Sequence, residues 1–428
     1  MKKNIIRLKN LLVITYYWPP SGGPGVQRVL KFCKYLSKYG WRPIILTVID
    51  GDFPVIDNSL KNQLGELKVY KSRSISFHKI FNFISKKKNT PTFQLSKSRN
   101  DNIFVKIARW VRLNFIIPDG RIGWYPAAVK DGENIIKKHN IVAIFSSAPP
   151  YTSHLIAKKL SKTNNIPWVA DFRDPWTDRF YNYENSRFSL TEKLDKTLER
   201  SVIKAAQKCI TVSNEISSYF NKKFDIIHNG YDENDFLDID LSKKSKNIII
   251  SYLGTMTKSQ NPKTFFEVVA NLNIAKNKFR IELIGNIHPD IKNHIIEKEF
   301  NDFIRIRKYI NHKEAIQKMV HSDFLLLVIP DSEKNKGIVT GKLFEYIRSM
   351  TKVLALGPLD CDASKIIFET NSGAFFDYND DTGIKEFLLK KDFGKTKNYK
   401  KYSRDNATMM LANILNNMIE NHNSKKDK

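Results

Sequence analysis

Thr340, Gly341, Lys342 and Glu345 bring a turn glycine, an ammonium and a carboxylate together in one short stretch. If a helix begins at Gly341, its first-turn N–H groups have no partners inside the helix. With the positive end of the helix dipole, they point at whatever lies in front of them. That arrangement suits a diphosphate, and Lys342 adds a cation to it. About one turn on, Glu345 stands on the same side as Gly341 and can accept hydrogen bonds from vicinal hydroxyls, as acidic residues do for a ribose. The expectation is a nucleotide-shaped pocket. The plainer alternative is a helix that follows a polar loop and only covers a sheet.

Such a helix needs strands to hold it, and the second half of the chain supplies them. Strand-like stretches at 248–253, 279–284, 304–309, 323–329 and 352–356 alternate with helical stretches from about Lys263, from about Asp290, at 312–321, at 341–350 and from about Thr382. This alternation predicts a doubly wound parallel sheet. The first half opens the same way, with a strand at Leu11 to Thr15, the loop Ser21-Gly22-Gly23-Pro24-Gly25, a helix from about Gln27 to Tyr39 ended by Gly40, and a strand from Pro43 to Ile49. Further strands are expected at Ile141 to Ser146, Pro167 to Ala170 and Cys209 to Val212, with a helix over about Glu192 to Gln207. At 428 residues the chain is long enough for two cores. The expected division is a first α/β domain over 1–232, a linker over 233–247, a second over 248–396, a helical segment over 397–420 and a tail over 421–428.

Composition narrows the partners. Seventy-one Lys and Arg against 44 Asp and Glu leave a net charge of +27, an attractive field for nucleotide diphosphates, nucleic acid or an anionic membrane leaflet. Residues 103–116 read as an amphipathic basic helix suited to anionic lipid, with a core helix of the first domain as the alternative. The run Lys86-Lys87-Lys88 adds to the same basic region. Cys33, Cys209 and Cys361 are far apart and in no metal-ligand spacing, so reduced core cysteines and no metal are expected. No segment reaches the ~20 apolar residues that cross a bilayer, so any membrane contact is expected to be peripheral. A nucleic-acid-binding protein remains an alternative on charge and interleaved aromatics, although no recognisable nucleic-acid module is present and none is expected as a partner.

Taken in order, Tyr16-Tyr17-Trp18-Pro19-Pro20 with Gly22-Gly23, Asp171-Phe172-Arg173-Asp174-Pro175-Trp176, His228-Asn229-Gly230-Tyr231-Asp232, Leu253-Gly254 and Gly341-Lys342-Leu343-Phe344-Glu345-Tyr346 resemble retaining glycosyltransferases of the GT-B fold, family 4 type. The resemblance covers nearly the whole chain. It implies two Rossmann-like domains facing a cleft, with a C-terminal helix packing back on the first. It also implies transfer of a sugar from a nucleoside-diphosphate sugar, with retention and without a metal or resident cofactor. The acceptor would be a lipid-linked glycan or an oligosaccharide, in bacterial surface polysaccharide synthesis on the cytoplasmic face of the membrane.

By the same resemblance, Asp171, Arg173 and Asp174 are the catalytic candidates, set on the loop that touches the transferred sugar and acceptor. Gly22, Gly23, Gly254, Lys258, Thr340, Gly341, Lys342 and Glu345 are the nucleotide-sugar contacts, Glu345 as the second acid of a Glu-x7-Glu element. Two departures stand out. Gly337 occupies the place of that element's first acid, and Gly254-Thr255-Met256-Thr257 replaces the usual Gly-Arg, leaving Lys258 as the nearby cation. A plain Asp-Arg ion pair bracing the loop before Pro175 is the structural alternative for Asp171 and its neighbours. His228 is expected to shape a turn. A nucleotide-sugar epimerase on a similar double-Rossmann frame is the competing enzyme.

Overall fold

The computed structural model describes residues 8–53, 55–75, 103–177, 187–237, 239, 246–275, 278–332 and 335–424. The Lys86-Lys87-Lys88 run and the end of the tail, 425–428, lie outside them. Two compact units divide the chain: Met1–His228 with Ala407–Lys428, and Asn229–Asn406. Residues 229–232, expected in the first domain, therefore belong to the second unit. Phe236, expected in the linker, is buried in that unit's core beside Tyr231.

In the first unit the described strands are β1 (Lys9–Ile14), β2 (Trp41–Val48), β3 (Lys68–Ser72), β4 (Ile141–Ala148), β5 (Trp168–Phe172), β6 (Lys208–Thr211) and β7 (Asp225–Ile226). They form one parallel sheet in the order β3-β2-β1-β4-β5-β6-β7. Leu11, Leu12, Val13 and Ile14 are all buried, as expected where helices cover both faces of a parallel sheet. The longer helices between these strands are α1 (Pro24–Tyr35), α2 (Ile103–Phe115), α3 (Tyr125–His139), α4 (Thr152–Asn164) and α5 (Ser189–Ala205), and a single turn at Asn214–Ser218 follows β6. The α1 helix starts earlier than its apolar pattern indicates, because Pro24 is preorganised for the first helical position. It then tightens into a 3-10 turn that ends at Gly40, whose φ of 82° suits a helix terminus. One face of this sheet is closed by the C-terminal helix, Arg404–Ser424, which buries Leu411, Ala412, Leu415 and Met418 against β1, β4 and α1 side chains.

The second unit holds β8 (Ile248–Leu253), β9 (Phe279–Ile284), β10 (Ile304–Arg307), β11 (Phe324–Val328), β12 (Lys352–Leu356) and β13 (Gly373–Phe376). Their order is β10-β9-β8-β11-β12-β13, again all parallel. Between them run α6 (Lys263–Ile274), α7 (Pro289–Glu297), α8 (His312–Val320), α9 (Gly341–Arg348) and α10 (Asp362–Thr370), and α11 (Asp381–Leu389) follows β13. The sheet is buried between two apolar clusters, one around Phe265, Phe266 and Leu283, the other around Leu325, Phe344 and Ile347. Cys33, Cys209 and Cys361 are buried and unpaired, and burial raises the thiol pKa of Cys33 and pushes that of Cys209 up to about 12.

Candidate active site

In the second unit the chain runs outward from β8 to β10, then returns to β11 on the other side of β8 and continues outward to β13. The order of winding thus reverses between β8 and β11. A crevice at the carboxyl ends of such strands is where open α/β sheets bind ligands. Helix α9 begins at this edge. Thr340 is its N-cap in extended conformation, and its side chain makes no capping bond. Among the described residues, the buried Thr340 Oγ1 has no hydrogen-bond partner. The space beside Gly341 is open, with no atom within 4 Å of where a Cβ would stand.

Lys342 folds back over the end of β8. Its Nζ donates to Leu253 O at 3.1 Å and lies 4.1 Å from the centre of the Tyr252 ring. Four residues on, the Tyr346 hydroxyl accepts from Leu253 N–H at 3.1 Å. One face of α9 therefore grips both backbone groups of the residue that ends β8, which fixes the helix start against the sheet edge. Burial holds the Lys342 amine down at about 8, against a smaller upward pull from Glu345. Gly254 makes room for this. Its φ is +123°, and a Cβ there would stand 3.3 Å from the Lys342 ammonium.

Glu345 lies on the same helix and accepts from His312 Nε2 at 3.0 Å. His312 opens α8 behind its N-cap Asn311 and is a neighbour that sequence reasoning missed. The only local signal was a histidine in a first helical turn, and 33 positions separate it from Glu345. The structure thus brings Gly254, Thr340, Gly341, Lys342 and Glu345 to one edge. Lys258 is engaged elsewhere: its Nζ meets Asp290 Oδ2 at 2.7 Å in an exposed pair. Gly337 lies in the turn before α9.

The first unit has its own reversal, between β1 and β4. Three loops meet at that edge. The Arg173 guanidinium donates to Ala148 O and Pro149 O after β4, and it lies where a Cβ on Gly25 would be only 1.4 Å away. Gly25 is thus the residue that lets Arg173 reach the start of α1. Burial lowers the Arg173 pKa, opposed by Asp174 and Asp171. Asp174 is exposed beside it, its backbone carbonyl held by the Tyr151 hydroxyl at 2.8 Å.

Two expectations need correction here. Asp171 is fully buried and pairs with Arg28, Nη2 to Oδ1 at 2.9 Å, while Ser147 Oγ donates to Asp171 Oδ2 at 2.7 Å. Arg28 also donates to Ile227 O and His228 O. With its carboxylate spent on a buried ion pair, Asp171 has no open side for substrate and braces the sheet edge instead. The Gly22 N–H is likewise taken, by Val55 O at 2.9 Å, so Gly22 offers no amide to a ligand. Gly23 is exposed at the α1 N-cap, and the following Pro24 has no N–H to offer. His228 Nδ1 bonds to Val212 O at 2.8 Å, consistent with a turn-shaping role.

No protein-family model and no curated protein matches the sequence. Solved structures do share its fold. A sucrose-phosphate synthase from Thermosynechococcus elongatus superposes with a TM-score of 0.61 at 12% identity, over 96% of this chain and 99% of that one. The Anabaena protein HepE, solved in complex with UDP and glucose, gives 0.59 at 13% identity over 96% and 99%. A UDP-GlcNAc 2-epimerase from Neisseria meningitidis, bound to UDP-GlcNAc, gives 0.54 at 11% identity over 95% and 99%. The architecture of two parallel-sheet α/β units is the GT-B fold of such neighbours.

Proposed function

We propose that the chain is a glycosyltransferase that moves a sugar from a nucleoside-diphosphate sugar to a glycan acceptor, with the nucleotide held by the second unit. The observation that carries this reading is the Lys342 ammonium, clamped at the end of β8 beside the first-turn amides of α9 and the unpartnered Thr340 Oγ1. An ammonium has three N–H donors, and among the described residues only Leu253 O accepts from this one. A diphosphate would satisfy the remainder together with the helix amides. Glu345 would then take the ribose hydroxyls, sharing them with or releasing His312. Neighbours of the same fold solved with UDP and UDP-GlcNAc make uridine nucleotides the first to test.

The chemistry that fits is same-face displacement with retention and without a metal. The departing diphosphate oxygen takes the acceptor proton, while Lys342 and the helix amides stabilise its growing charge. Arg173 and Asp174 are the acceptor-side candidates left in the first unit once Asp171 is removed. Among the described residues no helix is long and apolar enough to cross a membrane. A lipid-linked acceptor in surface polysaccharide synthesis, reached from the cytoplasmic face, completes the proposal.

The test is a panel of nucleoside-diphosphate sugars, read first by thermal shift and then, for donors that bind, by NMR of the product anomer with EDTA present. A donor that binds wild type but not Lys342→Met, and yields a retained linkage, supports the assignment. An epimerase is the second reading, favoured by the fold neighbour bound to UDP-GlcNAc. It predicts a changed sugar when donor and protein are incubated with no acceptor, whereas a transferase leaves the sugar's configuration intact.

A further inference from the structure

The end of α2 and the start of α5 place three aromatic rings on the surface of the first unit. Trp110, Phe115 and Phe188 pack edge to face, with centroids 5.7, 5.3 and 6.1 Å apart. They nevertheless remain 41%, 64% and 47% exposed. Leu190 and Leu194, one turn apart on α5, extend the apolar surface. The rings are not all that joins the two helices. Phe188 N–H donates to Asn114 Oδ1 at 2.7 Å, Thr191 Oγ1 to Asn114 O at 3.0 Å, and Arg187 Nε to Leu113 O at 3.1 Å. Arg187 also pairs with Asp195, which accepts from the Trp176 indole at 2.7 Å. The rings thus stand on a braced platform and project outward, the pattern of a docking surface.

Charge identifies what docks. The α2 sequence carries Lys106, Arg109 and Arg112 and no acidic residue. On α5, Lys193, Lys196, Arg200 and Lys204 are exposed, while Asp195 and Glu199 are occupied by Arg187 and Thr177. At 3.6 residues per turn, Lys193, Arg200 and Lys204 fall on the strip of α5 between the two leucines and a hollow of about 560 Å³. Lys196, Arg200, Lys204 and Lys222 line that hollow, with Glu192 and Glu199.

We propose that this face seats the protein on an anionic bilayer, with the rings and leucines in the headgroup boundary and the cationic strip and hollow against lipid phosphates. A second copy of the chain is a poorer occupant, since it brings the same positive surface. The proposal deepens the membrane part of the functional reading, because it names the surface that would hold the protein beside a lipid-linked acceptor.

Tryptophan fluorescence tests it directly. Of the six tryptophans, Trp110 is the exposed one, while Trp18, Trp41, Trp124, Trp168 and Trp176 are buried at 1% or less. Vesicles of phosphatidylglycerol and phosphatidylcholine with brominated acyl chains should quench and blue-shift its emission. Phosphatidylcholine vesicles alone should not, high salt should reverse the effect, and Trp110→Phe should abolish the signal while the protein still co-sediments. Phe115→Ser with Phe188→Ser, and separately Lys193→Gln with Arg200→Gln, should each weaken co-sedimentation about tenfold or more, with melting temperature and UDP binding unchanged.

No quenching by the anionic vesicles, or partitioning indifferent to both double variants, overturns the proposal. So does a lipid-free dimer in sedimentation that the ring substitutions dissolve. Nucleotide binding is scored separately: quenching without binding of any donor leaves this surface standing and sinks the active-site reading alone.

Discussion

Replacing Lys342 with methionine should move stability and nucleotide affinity in opposite directions. Burial brings the amine from its usual 10.5 to about 8. At ~1.4 kcal/mol per pKa unit, keeping it charged at neutral pH therefore costs the folded protein about 3 kcal/mol relative to water. The unfolded chain holds its proton up to about 10.5, so between pH 8 and 10.5 it binds more protons than the native state. Stability should thus rise with pH across that window, and the penalty is fully present below pH 8. Methionine removes the penalty, offset by the lost hydrogen bond to Leu253 O and the lost contact with the Tyr252 ring, together about 1 to 3 kcal/mol. The variant should be as stable as wild type or more stable by up to about 2 kcal/mol. A bound diphosphate favours the charged amine and returns its pKa toward 10.5. Affinity for UDP at pH 7 should therefore fall about 100-fold in the variant, and wild-type affinity should decline above pH 8 by up to about tenfold per pH unit. Calorimetry at pH 7 and 9, in buffers of different ionisation enthalpy, reads both the affinity and the proton uptake. A Met variant that binds UDP like wild type, or that loses more than about 2 kcal/mol in urea, would refute the reasoning.

Other changes separate structural from ligand-facing groups. Asp171→Asn leaves the buried Arg28 without its counter-charge, so urea unfolding should show a loss of about 3 kcal/mol or more while the folded fraction binds UDP normally. Glu345→Gln should weaken UDP about tenfold yet leave inorganic pyrophosphate affinity unchanged by calorimetry, with little shift in melting temperature, because the Glu345 hydrogen bond is to a half-exposed histidine and its pull on the Lys342 ammonium is the lesser influence on that amine. Leu411→Ala in the C-terminal helix opens a cavity at a fully buried position, and a stability loss of about 2 to 5 kcal/mol should appear in denaturant titrations.

What the sequence makes legible follows from how far each cause acts along the chain. The strands at 248–253 and 279–284 fall where their apolar runs place them, since both faces of a central parallel strand are buried and the run is continuous. Edge strands are harder to see. Gly373–Phe376 is half-buried and four residues long, and Lys68–Ser72 mixes lysines with its apolar positions, so neither carries a clear period. The site divides the same way. The start of α9 at Gly341 is encoded within a few residues of itself, whereas the role of Asp171 depends on Arg28, 143 positions away, and the partner of Glu345 lies on a different helix. Local chemistry names the residue types at a site. Only the sheet order decides which of them are spent on one another.

That distinction explains why the two sheet edges carry different arguments. Both units reverse their winding, and both bring cations and glycines to the carboxyl ends of central strands. In the first unit the positive charge is largely consumed: Arg28 by Asp171 and two carbonyls, Arg173 by Ala148 O and Pro149 O. In the second, Lys342 has a single hydrogen bond among the described residues, Thr340 Oγ1 has none, and the space beside Gly341 at the start of α9 is open. Buried donors left short of acceptors cost the free protein stability, and an anion placed there recovers it. A ligand rich in acceptor oxygens therefore gains more at the β8 and β11 edge than at the β1 and β4 edge. Asp174, an exposed carboxylate beside the Arg173 guanidinium, is better suited to orienting a neutral hydroxyl than to meeting a phosphate, since like charges repel.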